Sequence, residues 1–316
     1  MYFENAHLPM AEKWVVIGAG GFLGSNIGFL LGDKISLFGV VRREQQVPGY
    51  QQTDQIDILD EEALVRYLDG IGPKVVINAA ALASHALCER DPELAFLLNG
   101  IAPGVIAAAT HRLGVPLVQI STDAVFDGRV GRYTEFDICA PFSVYGETKL
   151  EGETRVMNMA QDAIVVRTNF FGWSPTGSRS ILEFFVSALR NRTIVNGYTD
   201  FRVSSIYVLD LVRILQLVVD FEFKGLLHIG SSDSRSKFEF GLSVAKEFDF
   251  PDSLILPVES RVDFHSTSRK RDLSMDTSLV QSLIDELVPS QESGIASSRR
   301  DEVRYRELFT RTLDHQ

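Results

Sequence analysis

Tyr145 and Lys149 stand four residues apart in the segment Tyr145-Gly146-Glu147-Thr148-Lys149. On a helix that spacing puts a phenol and an ammonium on one face, able to point into the same cleft. A free tyrosine titrates near ~10. An adjacent cation favours the phenolate and makes the hydroxyl a better proton donor or acceptor near neutrality. Such a pair taken alone is also what an ordinary helix surface carries. Its position singles it out, because it follows an apolar run ending Ile120-Ser121-Thr122-Asp123. Hydroxyls at the C-terminal end of a strand lie on the ligand-binding side of an open α/β sheet.

A second constellation is Gly18-Ala19-Gly20-Gly21-Phe22-Leu23-Gly24, with glycines at 18, 21 and 24 between an apolar strand and an apolar helix. Glycines there allow a tight turn and let the backbone approach a pyrophosphate seated on the helix N-terminus. A structural strand-to-helix turn is the plain alternative, and the strand-then-helix context favours the dinucleotide. The end of the second strand then selects the cofactor: a carboxylate suits the ribose hydroxyl of NAD, an arginine the 2′-phosphate of NADP. The chain reads Val40-Val41-Arg42-Arg43, with no acid before Glu44, which points to NADP(H). Asp57 and Ile58, after a short third strand, stand where an adenine would lie; Asp57 serves equally well as a loop-capping carboxylate.

These residues need a frame. Trp14–Ile17, Ile35–Val41, Lys74–Ile77, Pro116–Ile120 and Ala163–Val166 read as strands. Helical patterns at Phe22–Leu31, Glu61–Leu68, Pro92–Leu113 and Val144 to about Ala160 alternate with them. Asp91-Pro92 is a good helix start, a capping carboxylate with proline at the first helical position. Uninterrupted apolar strands alternating with helices imply a parallel sheet covered on both faces, a doubly wound α/β (Rossmann) fold. After about Phe170 the pattern loosens. Helices are expected at Ile181–Leu189, Val208–Val219 and Phe238–Phe248, with a strand at Leu226–Ile229 and a surface loop at Ser290–Arg300. This predicts a dinucleotide-binding domain over 1–170 and a smaller, discontinuous α/β substrate lobe over 171–316. Parts of that lobe, about 203–230, return to the first domain.

With 316 residues, about two domains' worth, the chain can bury a core without staples. Its 31 basic against 42 acidic residues argue against broad nucleic-acid binding, which needs a basic surface. Cys88 and Cys139 show no metal or redox spacing and read as reduced thiols of a cytoplasmic protein. No signal peptide is expected, and no apolar run approaches the roughly 20 residues of a membrane span. The six histidines show no ligand spacing, so no protein-bound metal is expected.

Taken together, the glycine loop, Asn78-Ala79-Ala80-Ala81, Ser121-Thr122-Asp123 and Tyr145…Lys149 resemble the extended short-chain dehydrogenase/reductases. The stretch STDAVFDGRVGRYTEFDICAPFSVYGETKLEGE, Ser121 to Glu153, resembles the dTDP-4-dehydrorhamnose reductase branch. Weaker matches at Val165–Thr168, Gly225–Gly230 and Arg271–Thr277 carry the similarity over nearly the whole chain. The chain departs from that branch at Ala124, where tyrosine is usual, in the glycine loop, and at Ser204-Ser205 in place of Pro-Thr.

The resemblance implies roles. Tyr145 would be the general acid that protonates a substrate carbonyl, Lys149 would hold the nicotinamide ribose and lower the tyrosine pKa, and Thr122 would orient the carbonyl. Gly18, Gly21, Phe22, Leu23 and Gly24 would surround the pyrophosphate. Ala79, Ala80 and Ala81 would pass beside the dinucleotide, and Thr168, Asn169 and Phe170 would reach the nicotinamide. On the substrate side stand Asp123, Trp173, which either stacks on a sugar or closes the core, and Arg202, either a diphosphate anchor or a surface residue. The implied function is NADPH-dependent reduction of a 4-keto-6-deoxy nucleotide sugar, dTDP-linked, by a protein that can form a homodimer. Two alternatives stay open: a non-catalytic NADP-binding regulatory subunit like the β subunit of methionine adenosyltransferase, and a related epimerase or dehydratase.

Overall fold

The computed structural model describes residues 12–260 and 271–313. The first part of the chain alternates strands and helices. In order these are β1 (Lys13–Ile17), α1 (Phe22–Leu31), β2 (Ser36–Val41), β3 (Gln52–Gln55), α2 (Glu61–Ile71), β4 (Val75–Asn78), α3 (His85–Arg90), α4 (Pro92–Ala95), α5 (Ala102–Leu113), β5 (Leu117–Thr122), α6 (Val144–Met159) and β6 (Ile164–Thr168). The rest adds β7 (Phe170–Phe171), α7 (Ile181–Arg190), β8 (Val195–Tyr198), β9 (Phe201–Val203), β10 (Ile206–Tyr207), α8 (Val208–Asp220), β11 (Gly225–Ile229), β12 (Arg235–Ser236), α9 (Lys237–Glu247), β13 (Ile255–Val258), β14 (Arg271–Asp272), α10 (Ser278–Ile284) and α11 (Gln291–Leu313).

Seven strands form one sheet in the order β11-β6-β5-β4-β1-β2-β3, every pair parallel. Order reverses between β1 and β4, and the crevice outside their C-terminal ends is where such sheets bind ligands. Strand alternation divides the core. Trp14 and Val16 face one cluster, with Leu23, Ile27 and Leu215. Val15 and Ile17 face the other, with Leu64, Leu68 and Ile106. With both faces covered, the central strands carry continuous apolar runs, Trp14–Ile17, Val75–Ile77 and Ile164–Val166, and turn polar toward their C-terminal ends at Asn78, Ser121-Thr122 and Arg167-Thr168. The chain's return to the sheet through α8 and β11 explains why the apolar pattern of Val208–Ile229 resembles that of the first half. Three small sheets, β12-β9-β14, β13-β8 and β10-β7, build the rest around α7 and α9.

Three sequence expectations need correction. Ser290–Arg300 is not a surface loop but the first half of α11. Its small residues mark close packing: a Cβ on Gly294 would meet Cβ of Tyr207 at 2.8 Å. Gln291, Ile295 and Ser298 are buried there. The Pro92–Leu113 run is not one regular helix, because Phe96–Ile101 widens into a π turn that holds buried Asn99. Contrary to the expectation of no span-length segment, this run is long and apolar enough to cross a bilayer by composition alone. Half of its most apolar window is buried, and in the fold α5 packs on α2 and α6 as a core helix.

Candidate active site

Helix α6 carries Tyr145 and Lys149 because Ser143 caps its start, accepting from Gly146 N at 3.2 Å. Gly146 lets that end lie against the turn after β5; a Cβ there would be 2.2 Å from the Ala124 carbonyl. Lys149 is almost fully buried and donates to Ile120 O at 2.6 Å, tying helix to strand. Tyr145 hydrogen-bonds Thr122, and the ring of His85 lies 4.6 Å from its own, centroid to centroid. Tyr145, Lys149 and Thr122 are thus brought together at the C-terminal end of β5.

The electrostatics differ in part from the expectation. Burial pushes the Tyr145 phenol up to about 12, the Thr122 hydrogen bond opposing and the Asp123 charge adding to the shift. Lys149 is not among the groups that move it, and burial pushes Lys149 itself down to about 8. The expected lowering of the tyrosine pKa by the lysine does not show in this geometry, where the ammonium keeps its charge while donating to the Ile120 carbonyl. The result is a phenol that keeps its proton at neutral pH, the form a proton donor needs. Thr122 donates to Asp123 Oδ1 at 3.1 Å and accepts from Ala124 N. Asp123 is buried, which pushes its carboxyl up to about 6 against hydrogen bonds from Asn169 and Thr122. Asn169, expected to reach the nicotinamide, donates its amide to Asp123 Oδ2 at 2.9 Å and accepts from Ser205.

On the other side of the crevice, Gly18 has φ +88° and a Cβ there would sit 2.8 Å from Ala80 N, so only glycine fits between the loop and the end of β4. Gly24 is pressed against the loop, a Cβ falling 2.3 Å from Gly18 O. Gly21 caps α1 without any side-chain hydrogen bond, so the first-turn amides of Phe22, Leu23 and Gly24 are left for an anion. The Thr168 hydroxyl at the end of β6 is buried with no hydrogen-bond partner among the described residues. Phe22 and Phe170 pack ring to ring at 5.1 Å across the crevice floor. Arg42 and Arg43 lie exposed beyond β2 with no ion pair among the described residues. These features fit a dinucleotide: a glycine cradle, uncapped amides, an orphaned hydroxyl and two uncompensated guanidiniums. Ala79 and Ala80 line the turn beside Gly18, while Ala81 is exposed. Asp57 accepts from Leu59 N at 3.0 Å, the loop-capping alternative, and Ile58 packs on the second core cluster.

At two substrate-side positions the structure takes the other of the two alternatives that the sequence leaves open. Trp173 is 3 % exposed and donates its indole N–H to Ser298 O at 2.7 Å, so it closes the core and has no face to offer a sugar. Arg202 is turned away from the cleft by strand alternation: Phe201 and Val203 line a cavity of about 210 Å³, whereas Arg202 bonds Ser234 O and Glu239 at 2.8 Å. The cavity's titratable walls are Asp123, His85, Arg179 and Lys237. The last three were missed. The helix begins one residue earlier than the expected Phe238, and only with that boundary does Lys237 stand out as a cation at a first helical position, where it opposes the macrodipole.

The family described as RmlD substrate binding domain matches residues 12–302. A probable low-salt glycan biosynthesis reductase, Agl14, of Haloferax volcanii is 30 % identical over 290 residues, 89 % of this chain and 95 % of that one. The dTDP-4-dehydrorhamnose reductase of Mycolicibacterium smegmatis is 33 % identical, over 73 % of this chain and 67 % of its own. Methionine adenosyltransferase 2 subunit beta of Xenopus laevis is 30 % identical over 64 % and 63 %. Among solved structures, dTDP-4-dehydrorhamnose reductase of Bacillus anthracis in complex with NADP superposes with a TM-score of 0.80 at 23 % identity, over 92 % of this chain and 99 % of that one.

Proposed function

Because this chain belongs to the RmlD substrate binding domain family, we propose that it is an NADPH-dependent reductase of a nucleotide-linked sugar ketone, a 4-keto-6-deoxy sugar on dTDP. The observation that carries the reading is the meeting of Tyr145, Thr122 and Lys149 at the mouth of the crevice opposite the glycine loop. The names of the relatives from Haloferax and Mycolicibacterium, both reductases, support the reaction class.

When bound, NADPH supplies the hydride. Gly18, Gly21, Phe22, Leu23 and Gly24 would hold the pyrophosphate, Arg42 and Arg43 the 2′-phosphate, and Lys149, Thr168 and Phe170 the nicotinamide end. Tyr145 holds a proton at its hydroxyl and delivers it to the carbonyl oxygen as general acid. Thr122 and Lys149 fix the phenol between strand and helix. Asp123, partly protonated near pH 6, governs whether the Thr122 hydroxyl donates inward or toward substrate. In the same reading residues through 170 hold the cofactor and those beyond 171 face the sugar, the segment 203–230 returning to the sheet, in a cytoplasmic enzyme able to form a homodimer.

The test is NADPH oxidation against a panel of nucleotide-linked 4-keto sugars. Turnover with a dTDP-linked member supports the reading. A protein that binds NADPH and oxidises none of it sinks the reading. That result would favour a non-catalytic regulatory subunit, the second reading, which the likeness to methionine adenosyltransferase 2 subunit beta supports.

A further inference from the structure

We propose that Lys237 and Arg179 form an anion-recognition pair in the cavity that holds Asp123 and His85, next to the catalytic tyrosine, binding charged oxygens of the substrate that adjoin the reacting sugar; this deepens the reductase reading and rests on it. Both side chains line the cavity of about 210 Å³ that also holds Asp123 and His85. That volume is below the usual 300–1,000 Å³ of a whole ligand pocket, so it takes a sugar ring and its immediate substituent. The Lys237 ammonium lies 4.4 Å from the ring centroid of Phe201 and 5.7 Å from that of Tyr198. Among the described residues neither Lys237 nor Arg179 makes a side-chain hydrogen bond or an ion pair.

That is unusual in its surroundings. Nearby cations are matched: Arg202 with Glu239, Arg235 with Asp233 and Glu292, Lys246 with Glu292. The chain as a whole has 42 acidic against 31 basic residues, so an unmatched pair sharing one cavity is not a by-product of a basic surface. Asp123, the one carboxylate lining that cavity, is already held by Thr122 and Asn169. Burial pushes the Lys237 ammonium down and the Asp123 charge opposes that shift, but the two make no ion-pair contact. Lys237 is half-buried against ring faces with no carboxylate in ion-pair contact among the described residues, Arg179 is exposed, and an arriving anion would give the ammonium the direct counter-charge it lacks. Lys237 further sits at the first position of α9, whose amide dipole adds positive potential toward the same anion. Phosphate and carboxylate oxygens both satisfy this chemistry, from the diphosphate of a nucleotide sugar or from an acidic sugar.

Calorimetric titration of the NADPH-saturated protein with thymidine diphosphate, inorganic pyrophosphate and glucuronate separates the sources. Loss of a charge-assisted hydrogen bond predicts about 10–100-fold weaker binding in Lys237→Met, with most of it restored in Lys237→Arg and NADPH affinity unchanged. Arg179→Met acts in the same direction. Weakening of both phosphate ligands assigns the pair to the diphosphate, and weakening of glucuronate alone assigns it to a sugar carboxylate; either supports an anion site. Unchanged affinity for all three probes in both variants, or no binding of any probe to the unmodified protein, overturns it. Because the readout is binding, an anion site in a protein that reduces no keto sugar would stand while the reductase reading fell.

Discussion

Glu153 and Arg167 clasp each other beneath the catalytic strand: Arg167 Nη2 lies 2.7 Å and Nε 3.0 Å from the Glu153 carboxylate, with both side chains almost fully buried. Glu153 also accepts from the Ser121 hydroxyl. It stands four residues after Lys149 and eight after Tyr145, on the same helix face. One carboxylate therefore fixes α6 to both β5 and β6, and with them the distance from Tyr145 to Thr122.

Removing that charge should be severe. In Glu153→Gln the Arg167 guanidinium stays buried without its counter-charge, a loss of about 3–5 kcal/mol for a broken buried pair. Denaturant unfolding would show it as a lowered midpoint with unchanged slope. A midpoint equal to that of the unmodified protein would mean the pair does not hold the helix in place.

Arg42 and Arg43 carry the cofactor preference. NADPH should raise the melting temperature more than NADH at equal concentration, since ligand stabilisation follows RT ln(1 + [L]/Kd). Replacing both arginines by alanine should bring the two shifts together. An equal or larger shift with NADH in the unmodified protein would remove the argument for NADP.

Tyr145→Phe keeps the ring against His85 and deletes the proton. Turnover should fall about 10²–10⁴-fold, the usual worth of general acid catalysis, with NADPH affinity retained. Lys149→Met should damage both, because it also unties α6 from Ile120. Thr122→Val should hurt turnover more than cofactor affinity. Keto-sugar reduction at full rate in Tyr145→Phe would end the proton-donor assignment.

The parallel sheet was legible because its strands are apolar on both faces, and the Tyr145, Lys149 and Thr122 meeting because helix and strand periodicities place them. What was not legible depended on a partner distant in sequence. Whether Trp173 stacks on a sugar or closes the core stays open in the sequence until Ser298, in a segment that reads as loop, takes its N–H. Arg202 and Lys237 could be ranked only once β9 set which face looks into the cavity and Glu239 claimed the arginine. The direction of the tyrosine pKa was not legible for a similar reason: sequence gives the spacing of Lys149 but not the depth of burial that pushes the phenol up.

The corrected place of Arg202 makes its own prediction. Arg202→Ala should leave the affinity for thymidine diphosphate unchanged and cost no more than about 1 kcal/mol, the range of a partly exposed ion pair. A selective loss of substrate affinity at unchanged stability would return the arginine to the cleft.

Two buried groups give the protein an acid-range signature that one substitution can separate. Burial raises the Asp123 carboxyl from 3.8 to about 6, so the folded state holds that proton more tightly than the unfolded chain. The resulting stabilisation is complete below about 4 and is lost as pH rises through about 6. Burial and the neighbouring Arg167 lower His228 from 6.5 to about 4, so the folded state holds that proton less tightly. Its contribution is present above about 6.5 and is lost as pH falls toward about 4. Between these limits the slopes oppose each other, and each amounts to at most about 1.4 kcal/mol per pH unit. Asp123→Asn removes the first and leaves the second. Groups common to both proteins cancel in the difference between their stabilities, which therefore isolates Asp123. Thermal melts from about pH 4 to 6.5 should show the variant losing stability on acidification more steeply than the unmodified protein, the two curves diverging toward low pH. Parallel curves would mean that Asp123 titrates as an ordinary carboxylate, and the gating of Thr122 by its proton would fall with it.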